Sequence, residues 1–249
     1  MSLDGVVVVT GGGSGIGRAS ALAASATGAA VGLLDVHGAH AEETRGLIED
    51  AGGRALAVEV DVTDDDAVAR AVARARELGR ITGVVTAAGI FHGPDLAPAH
   101  EVSIGDFHHV LAVNLGGTFS VIKHALPDLM DGGGSIVTIA STAALRGHGL
   151  GAGYTASKGG VDALTRLLAV QYGPHGVRAN CVCPGGVDTP MTGGVFATEE
   201  GRARARKGIP LQRYADASDI ADVVVFLLGA GARYVTGQTV PVEGGALLT

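Results

Sequence analysis

The sequence has no tryptophan, few other aromatic residues and only two cysteines among its 249 residues. Cys181 and Cys183 lie two positions apart in a predicted strand, where they do not build a disulfide framework. A lone C-x-C without a second pair of ligands is a poor metal site, so we interpret both cysteines as buried apolar side chains. The histidines form no H-E-x-x-H or similar pattern, and we therefore predict no metal site.

Long apolar runs are also missing, because no uncharged stretch reaches the roughly 20 apolar residues that a membrane helix needs. Since 47% of the residues are hydrophobic, we expect a parallel sheet buried on both faces, together with buried subunit contacts. The first apolar run follows Asp4 and is typical of a strand rather than a secretory signal, so we expect a cytoplasmic protein. The net charge of −7 argues against nucleic acid or an anionic membrane as a partner.

A glycine-rich turn separates the first predicted strand, residues 5–10, from an alanine-rich helix predicted over 16–27. Gly11, Gly15 and Gly17 give it the spacing G-x-x-x-G-x-G, which differs from the G-x-G-x-x-G of the standard dinucleotide fingerprint. Such a turn lets a pyrophosphate approach the backbone N–H groups at a helix start. In a chain with 41 glycines a chance cluster is the alternative.

An acidic residue closes the second predicted strand, residues 29–35. Asp35 stands 20 positions after Gly15, where a carboxylate can accept hydrogen bonds from the adenosine ribose hydroxyls of NAD. The alternative is a helix cap or a turn residue.

Strands and helices alternate along the whole chain, which predicts an α/β fold with a doubly wound parallel sheet and helices on both faces. We see no linker or repeat and expect one domain over residues 1–249. The predicted strands cover 5–10, 29–35, 55–62, 81–86, 134–141, 177–182 and 239–242. The predicted helices cover 16–27, 39–51, 63–78, 104–129, 154–172 and 218–228.

Tyr154 and Lys158 are four residues apart on a predicted helix and therefore lie on one face of it. A nearby ammonium favours the phenolate and lowers the pKa of a tyrosine, which makes a general acid/base for neutral pH. An exposed pair is too weak for this, so a desolvated site or a cationic cofactor has to help. Alone, the spacing is also that of an ordinary surface pair.

Several motifs in one order resemble those of the short-chain dehydrogenase/reductase family over essentially the whole length. They are residues 10–17 of the glycine turn, Asn114, Ser141, and Tyr154-x-x-x-Lys158. Segments at 184–191, 235–239 and 243–245 are similar to further family motifs. The resemblance implies a Rossmann-like sheet of seven parallel strands and a nicotinamide cofactor.

The resemblance also implies a catalytic set. Tyr154 would be the acid/base, and Lys158 would lower its pKa and hold the nicotinamide ribose. Ser141 would donate to the substrate oxygen, and Asn114 would distort its helix and hold a water on a proton relay from Lys158. The implied cofactor-binding residues are Gly11, Gly13, Ser14, Gly15, Ile16, Gly17, Asp35, Val36, Asp61, Val62, Ala88, Gly89, Tyr154, Lys158, Pro184, Gly185, Val187 and Thr189.

Two features bear on the sheet and on the choice of cofactor. The family's Asn-Asn-Ala-Gly after the fourth strand is here Thr86-Ala-Ala-Gly89. This change removes an amide that usually ties the central sheet, although Thr86 still offers a hydroxyl.

Family members that prefer NADP often carry a basic residue where this chain has Ser14 or Val36. With Arg18 interpreted as a solvated helix residue, we expect NAD.

The expected activity is the interconversion of a secondary alcohol and a ketone. The alternatives are a 3-oxoacyl reductase-like enzyme and a non-catalytic NAD(H)-binding sensor on the same fold. Ser141, Tyr154 and His148 are the candidate substrate contacts, and for His148 the preferred alternative is a partly exposed loop histidine. The remaining wall is predicted from Arg146, Leu150, Phe91, Val187 and a substrate lid at about 187–210. Its basic group from Arg202 to Lys207 either attracts an acidic or carrier-linked substrate or forms a solvated face of the lid.

The resemblance implies a homodimer or homotetramer. The predicted helices that contain Asn114 and Tyr154 are rich in apolar residues, which we expect to pack against a second copy. The alternative is that all of these apolar side chains face the sheet. These residues are Val110, Leu111, Val113, Phe119, Val121, Leu164, Leu167, Leu168 and Val170.

Overall fold

The computed structural model describes residues 3–91, 93–147, 150–193, 198, 200, 203 and 206–249. Within them lie seven strands, β1 to β7 in chain order. Their bounds are Val6–Thr10, Ala30–Asp35, Ala55–Glu59, Ile81–Thr86, Gly134–Ile139, Val177–Pro184 and Thr239–Val242. Seven α-helices, α1 to α7, have the bounds Gly15–Ala26, Gly38–Asp50, Asp65–Ala75, Ile104–Leu111, Gly117–Met130, Ala152–Tyr172 and Ala217–Leu228.

The strands form one sheet in the order β3-β2-β1-β4-β5-β6-β7. Every neighbouring pair is parallel. Strand order reverses between β1 and β4, and in such sheets ligands bind beyond the carboxyl ends of the strands at this point. The predicted doubly wound parallel sheet of seven strands is confirmed.

Strand β1 shows why its sequence is apolar throughout. Val6 and Val8 belong to a core that contains side chains of α3, α5 and α6. Val7 and Val9 belong to the other core, which contains side chains of α1, α2 and α7. Successive side chains of a strand point to opposite faces, so a strand covered on both sides is hydrophobic at every position.

Most predicted elements differ from the structure by a few residues at their ends, and two of the differences bear on the site. The third strand ends at Glu59 rather than at residue 62, because its partner β2 ends at Asp35, which pairs with Glu59. The helix predicted over 104–129 is interrupted by a π-helical turn, Ala112–Gly116, between α4 and α5. This turn contains Asn114, which agrees with the distortion that the resemblance implied.

The two cysteines are buried and free, with their Sγ atoms 4.0 Å apart in β6. Among the described residues, no helix is long and apolar enough to cross a membrane.

Candidate active site

The glycine-rich turn leads directly into α1, whose first residue is Gly15. The N-cap residue, Ser14, makes no side-chain capping bond, and the first turn of the helix contains no acidic residue. The N–H groups at this helix start are therefore available to an anion, and the helix dipole favours negative charge there.

The spacing of the glycines has a steric cause. Gly11 and Gly15 adopt φ values of +64° and +49°, which favour glycine. A Cβ on Gly17 would stand 2.0 Å from the carbonyl oxygen of Gly11. The turn can fold back on the helix only because these positions have no side chain.

A cleft of about 590 Å³ opens beside this turn at the carboxyl edge of the sheet. Twelve of the predicted cofactor residues line it, namely Gly11, Ser14, Gly15, Ile16, Gly17, Asp35, Val36, Asp61, Val62, Ala88, Gly89 and Thr189. A cleft of this size, with an open helix start and a carboxylate, fits a dinucleotide.

Other predicted cofactor residues lie outside that lining. Gly13 donates its N–H to Asp35 Oδ2 at 2.8 Å. A Cβ on Gly185 would stand 2.7 Å from Glu243 Cβ, so this glycine packs against the loop after β7. Val187 is buried and pairs with Ala215. Pro184, Tyr154 and Lys158 are also absent from the lining.

The cleft also contains Pro190 and Met191 from the predicted lid, and residues that were not predicted for the site: Leu34, His37, Val60, Ala87, Ile90, His109 and Val113. Most of them directly adjoin a predicted site residue and could have been found by extending each strand end. His109 and Val113 come from α4 and the π-helical turn, and only the packing of these elements brings them to the cleft.

Asp35 is buried and uses both carboxylate oxygens within the chain. Oδ2 accepts from the Gly13 N–H, and Oδ1 accepts from the His37 N–H at 2.9 Å. Each carboxylate oxygen can accept more than one hydrogen bond. Asp35 therefore links the glycine turn to the end of β2 and keeps acceptor capacity for a ligand.

Arg18 is not the solvated helix residue that we expected. Its Nε donates to the carbonyl oxygen of Gly13 at 2.9 Å and to Thr44 Oγ1 at 3.0 Å. Its guanidinium forms an ion pair with Glu43 at 2.7 Å. Because α2 packs beside α1, Arg18, which would be exposed on an isolated helix, connects α1 to α2 and to the glycine-rich turn.

Tyr154 and Lys158 lie on α6, with Lys158 Nζ 5.7 Å from the centre of the Tyr154 ring. The ammonium donates to the Ile139 carbonyl at 2.9 Å. Burial lowers the pKa of Lys158 to about 8. Burial also raises the pKa of Tyr154, and a hydrogen bond with the Ser141 side chain opposes that rise. The expected lowering by Lys158 does not occur in the chain by itself, because desolvation of the phenol is the larger effect.

Ser141 follows β5 and is buried, and its Oγ accepts from the Ala143 N–H at 3.1 Å. The structure thus brings Ser141, Tyr154 and Lys158 together at the end of β5. Ser141 and the two α6 residues are separated in the chain by a loop, and the sequence alone does not predict that this loop brings them together.

Asn114 is fully buried, and its side-chain amide forms hydrogen bonds with two other segments of the chain. Its Oδ1 accepts from the Ile90 N–H at 2.7 Å, and its Nδ2 donates to the Ile90 carbonyl at 3.1 Å. Nδ2 also donates to Ser157 Oγ on α6 at 3.1 Å. Asn114 therefore ties the π-helical turn to both the loop after β4 and the helix of Tyr154.

The predicted substrate wall is only partly described. His148, Arg202 and Arg204 lie outside the described residues. The ring of Phe91 meets the Tyr154 ring edge to face, with 5.1 Å between centroids. Arg146 donates to the carbonyl oxygen of Ala246 at 2.7 Å, so it contacts the C-terminal segment.

Comparison with known proteins agrees with the fold and the site. Residues 11–246 match the family model described as Enoyl-(Acyl carrier protein) reductase. Levodione reductase of Leifsonia aquatica is 37% identical over 252 residues, which cover 97% of this chain and 94% of that protein. The chain belongs to the short-chain dehydrogenase/reductase family.

Two further relatives extend this result. The meso-2,3-butanediol dehydrogenase of Serratia marcescens is 38% identical over 242 residues, covering 97% of this chain and 94% of that protein. A protein from Beutenbergia cavernae, assigned as an NAD(P)-dependent gluconate 5-dehydrogenase, is 37% identical with a TM-score of 0.93. The match covers 100% of this chain and 99% of that structure, which contains NADP at low occupancy. As a family member, the chain is an oxidoreductase of CH–OH and C=O groups that uses a nicotinamide cofactor.

Thr86 stands in the central sheet where the family usually has an asparagine. It is 2% exposed, and its Oγ1 makes no hydrogen bond with any described residue. The hydroxyl that we expected to replace the family's amide is therefore present but unused. The neighbouring strands hold the site by backbone pairing, with Thr86 opposite Thr10 on β1 and Thr138 on β5.

Proposed function

We propose that the chain is an NAD(H)-dependent oxidoreductase that interconverts a secondary alcohol and a ketone, with Tyr154 as the general acid/base. The observation that supports this most is the position of Tyr154. Against the effect of burial, the Ser141 side chain lowers the pKa of its phenol, Lys158 Nζ lies 5.7 Å from the centre of its ring, and the dinucleotide-sized cleft opens at the same sheet edge.

In the oxidation direction, Tyr154 takes the proton of the substrate hydroxyl as its phenolate. Ser141 donates a hydrogen bond to the substrate oxygen and keeps it within reach of Tyr154. When bound, the oxidised nicotinamide supplies the hydride acceptor and a positive charge near the site. Lys158 holds a second positive charge beside the phenolate, and Asn114 keeps α6 in place through Ser157 and holds a water for proton exchange.

Asp35 is the basis for choosing NAD over NADP. Its carboxylate is already fixed by the Gly13 and His37 N–H groups, so it cannot easily turn away from a ribose. A phosphate on the ribose 2′ oxygen would meet this negative charge. Arg18 offers little compensation because Glu43 already pairs with it.

The substrate class follows from the same site and from the relatives. Those relatives are named for levodione, for meso-2,3-butanediol and for gluconate, and a secondary alcohol or ketone fits the wall formed with Phe91. The alternative of a non-catalytic NAD(H) sensor leaves the Ser141, Tyr154 and Lys158 arrangement without a purpose.

The same proposal includes the organisation of the chain. Residues 1–249 form one domain, with a substrate lid at about 187–210, and two or four copies associate. Support for association comes from apolar side chains on α5 and α6 that remain exposed: Phe119 at 52%, Leu167 at 50% and Val170 at 77%. Other residues of the predicted set, including Val110, Val121 and Leu168, are buried in the chain itself.

The test is the absorbance of NADH at 340 nm when the enzyme is mixed with NAD and a panel of secondary alcohols, with primary alcohols as the control. The reverse direction uses NADH and the matching ketones. Binding of NADH is measured in parallel by its own fluorescence, which no tryptophan disturbs in this chain. Turnover of a secondary alcohol supports the proposal, whereas tight NADH binding without turnover of any substrate favours the sensor.

A further inference from the structure

Asp95 is a buried acidic residue in the loop between β4 and α4 that no motif identified. It is the only acidic residue between Glu77 and Glu101, and it is 1% exposed. A carboxylate at such a depth needs strong hydrogen bonds to offset its lost hydration. Both of its partners belong to the helix that contains the catalytic tyrosine.

The carboxylate of Asp95 caps the start of α6. Oδ1 accepts from the Gly153 N–H at 2.7 Å, and Oδ2 accepts from the N–H of Tyr154 itself at 2.8 Å. The helix has no local cap, because its N-cap residue is Gly151. Asp95 therefore supplies, from 58 residues earlier in the chain, the acceptors that a serine or aspartate at the N-cap normally provides.

The residues at the helix start are shaped for this contact. A Cβ on Gly151 would stand 2.1 Å from Asp95 Oδ2 and 2.6 Å from the Asp95 carbonyl oxygen. A Cβ on Gly153 would stand 3.1 Å from Asp95 Oδ1. Side chains at either position would push the carboxylate away from the helix.

The loop of Asp95 also contacts Tyr154 directly through Phe91, and it reaches α6 indirectly through Asn114. The Phe91 ring packs against the Tyr154 ring, and the backbone of Ile90 is bound on both sides by Asn114. Ile90 and Phe91 line the cofactor cleft. One short loop thus connects the cleft, the π-helical turn and the tyrosine, and Asp95 provides a charged contact between this loop and α6.

We infer that Asp95 is a positioning residue that holds the backbone of Tyr154 in place for proton transfer. This inference rests on the proposed role of Tyr154 as the acid/base. A displacement of the acid/base by about 1 Å can cost about 10²-fold in rate. The negative charge at the helix start also disfavours the phenolate, so its removal should make Tyr154 easier to deprotonate.

The first test variant is Asp95→Asn, which keeps the shape but replaces one acceptor oxygen with a donor and removes the charge. We expect kcat for alcohol oxidation to fall at least about 10-fold, with the Kd for NADH unchanged. The acid limb of the kcat profile should move to lower pH by about half a unit or more. Of the described residues, Lys158 and Cys183 are the other titratable groups around the phenol, and both are unchanged in this variant.

The second variant tests the same contact without changing Asp95. Gly151→Ala places a methyl group against the carboxylate and should lower kcat similarly. Combined with Asp95→Asn it should add little, because both changes break one interaction. The control is Asp64→Asn, which makes the same substitution in the cap of α3 at the Ala67 N–H and should leave kcat within about twofold.

An unchanged kcat or an unshifted acid limb in Asp95→Asn would overturn the inference. A parallel loss of kcat, NADH binding and thermal stability would also overturn it, since that pattern indicates a fold defect alone. Tyr154→Phe, measured beside these variants, separates this inference from the proposed function. Turnover in Tyr154→Phe refutes the acid/base role, whereas an inactive Tyr154→Phe beside a fully active Asp95→Asn refutes only the role of Asp95.

Discussion

Lys158 Nζ lies 5.7 Å from the centre of the Tyr154 ring but donates its hydrogen bond to the Ile139 carbonyl, at 2.9 Å. The ammonium is thus held beside the phenol by a backbone acceptor rather than by a carboxylate. Burial lowers the pKa of Lys158 to about 8 from its ordinary 10.5. At about 1.4 kcal/mol per pH unit, keeping this lysine charged at pH 7 costs about 3 kcal/mol of stability.

We therefore predict that Lys158→Met is more stable than the wild type at pH 7, by about 1 to 2 kcal/mol, since loss of the bond to Ile139 offsets part of the gain. Between pH 8 and 10.5 the unfolded wild type binds more protons than the folded protein. Wild-type stability should accordingly rise over this window, and its difference from the variant should shrink. Urea unfolding of the wild type and the variant at pH 7 and pH 10 measures the stability difference and its change with pH. Equal stability at pH 7 would mean that the lysine is not desolvated. The variant should lose at least about 10²-fold in kcat.

Tyr154→Phe keeps the ring that packs on Phe91 but removes the ionisable hydroxyl. It should lower kcat by at least about 10²-fold, the low end for a lost general acid/base. NADH binding, followed by its fluorescence, should be unchanged. Tyr172→Phe, at the other end of the same helix, is the matched control and should retain full turnover. Normal turnover in Tyr154→Phe would refute the assignment of the acid/base.

The cofactor preference depends on Asp35. A carboxylate and a phosphate about 4 Å apart repel by about 4 kcal/mol at an effective dielectric of 20, before screening by salt. We predict that kcat/KM with NAD exceeds that with NADP by at least about 10²-fold. Asp35→Ser should reduce this ratio, whereas Asp50→Ser at the far end of α2 should not change it. An equal or reversed wild-type preference would show that Asp35 does not face the ribose.

Thr86→Val should stabilise the protein. The Thr86 hydroxyl is buried without a hydrogen bond to any described residue, and removing an unsatisfied buried group of this kind is worth about 1 to 2 kcal/mol. Thr138→Val is the control, because the Thr138 hydroxyl bonds with Thr165 Oγ1 at 2.7 Å, and its loss should destabilise by about 1 kcal/mol. Urea midpoints distinguish the two. A destabilised Thr86→Val would reveal a partner for that hydroxyl.

The association of copies is expected to be two-fold and to use the exposed apolar residues of α5 and α6. Light scattering at micromolar concentration should show a dimer or tetramer. Leu167→Glu combined with Val170→Glu should reduce the mass at least by half, because two charges would be buried at the interface. Leu47→Glu, at an exposed apolar site on α2, is the control. A wild-type monomer would contradict the expectation.

Features that depend on neighbouring residues could be read from the sequence. Alternation of apolar strands with helices predicted the sheet, since burial on both faces requires an apolar residue at each position. The glycine spacing predicted the turn before α1, and the four-residue spacing placed Tyr154 beside Lys158 on one helix face. The order of these motifs was enough to identify the family.

Features that depend on distant segments were decided only by the tertiary structure. The cap on α6 comes from Asp95, in a loop that local patterns describe only as irregular. The pKa of Lys158 depends on burial beneath β5, and Arg18 finds Glu43 only because α2 packs beside α1. The sequence specifies which side chains are present and which nearby residues share one face of a helix or strand. Desolvation and long-range hydrogen bonds arise only from the packing of the whole chain.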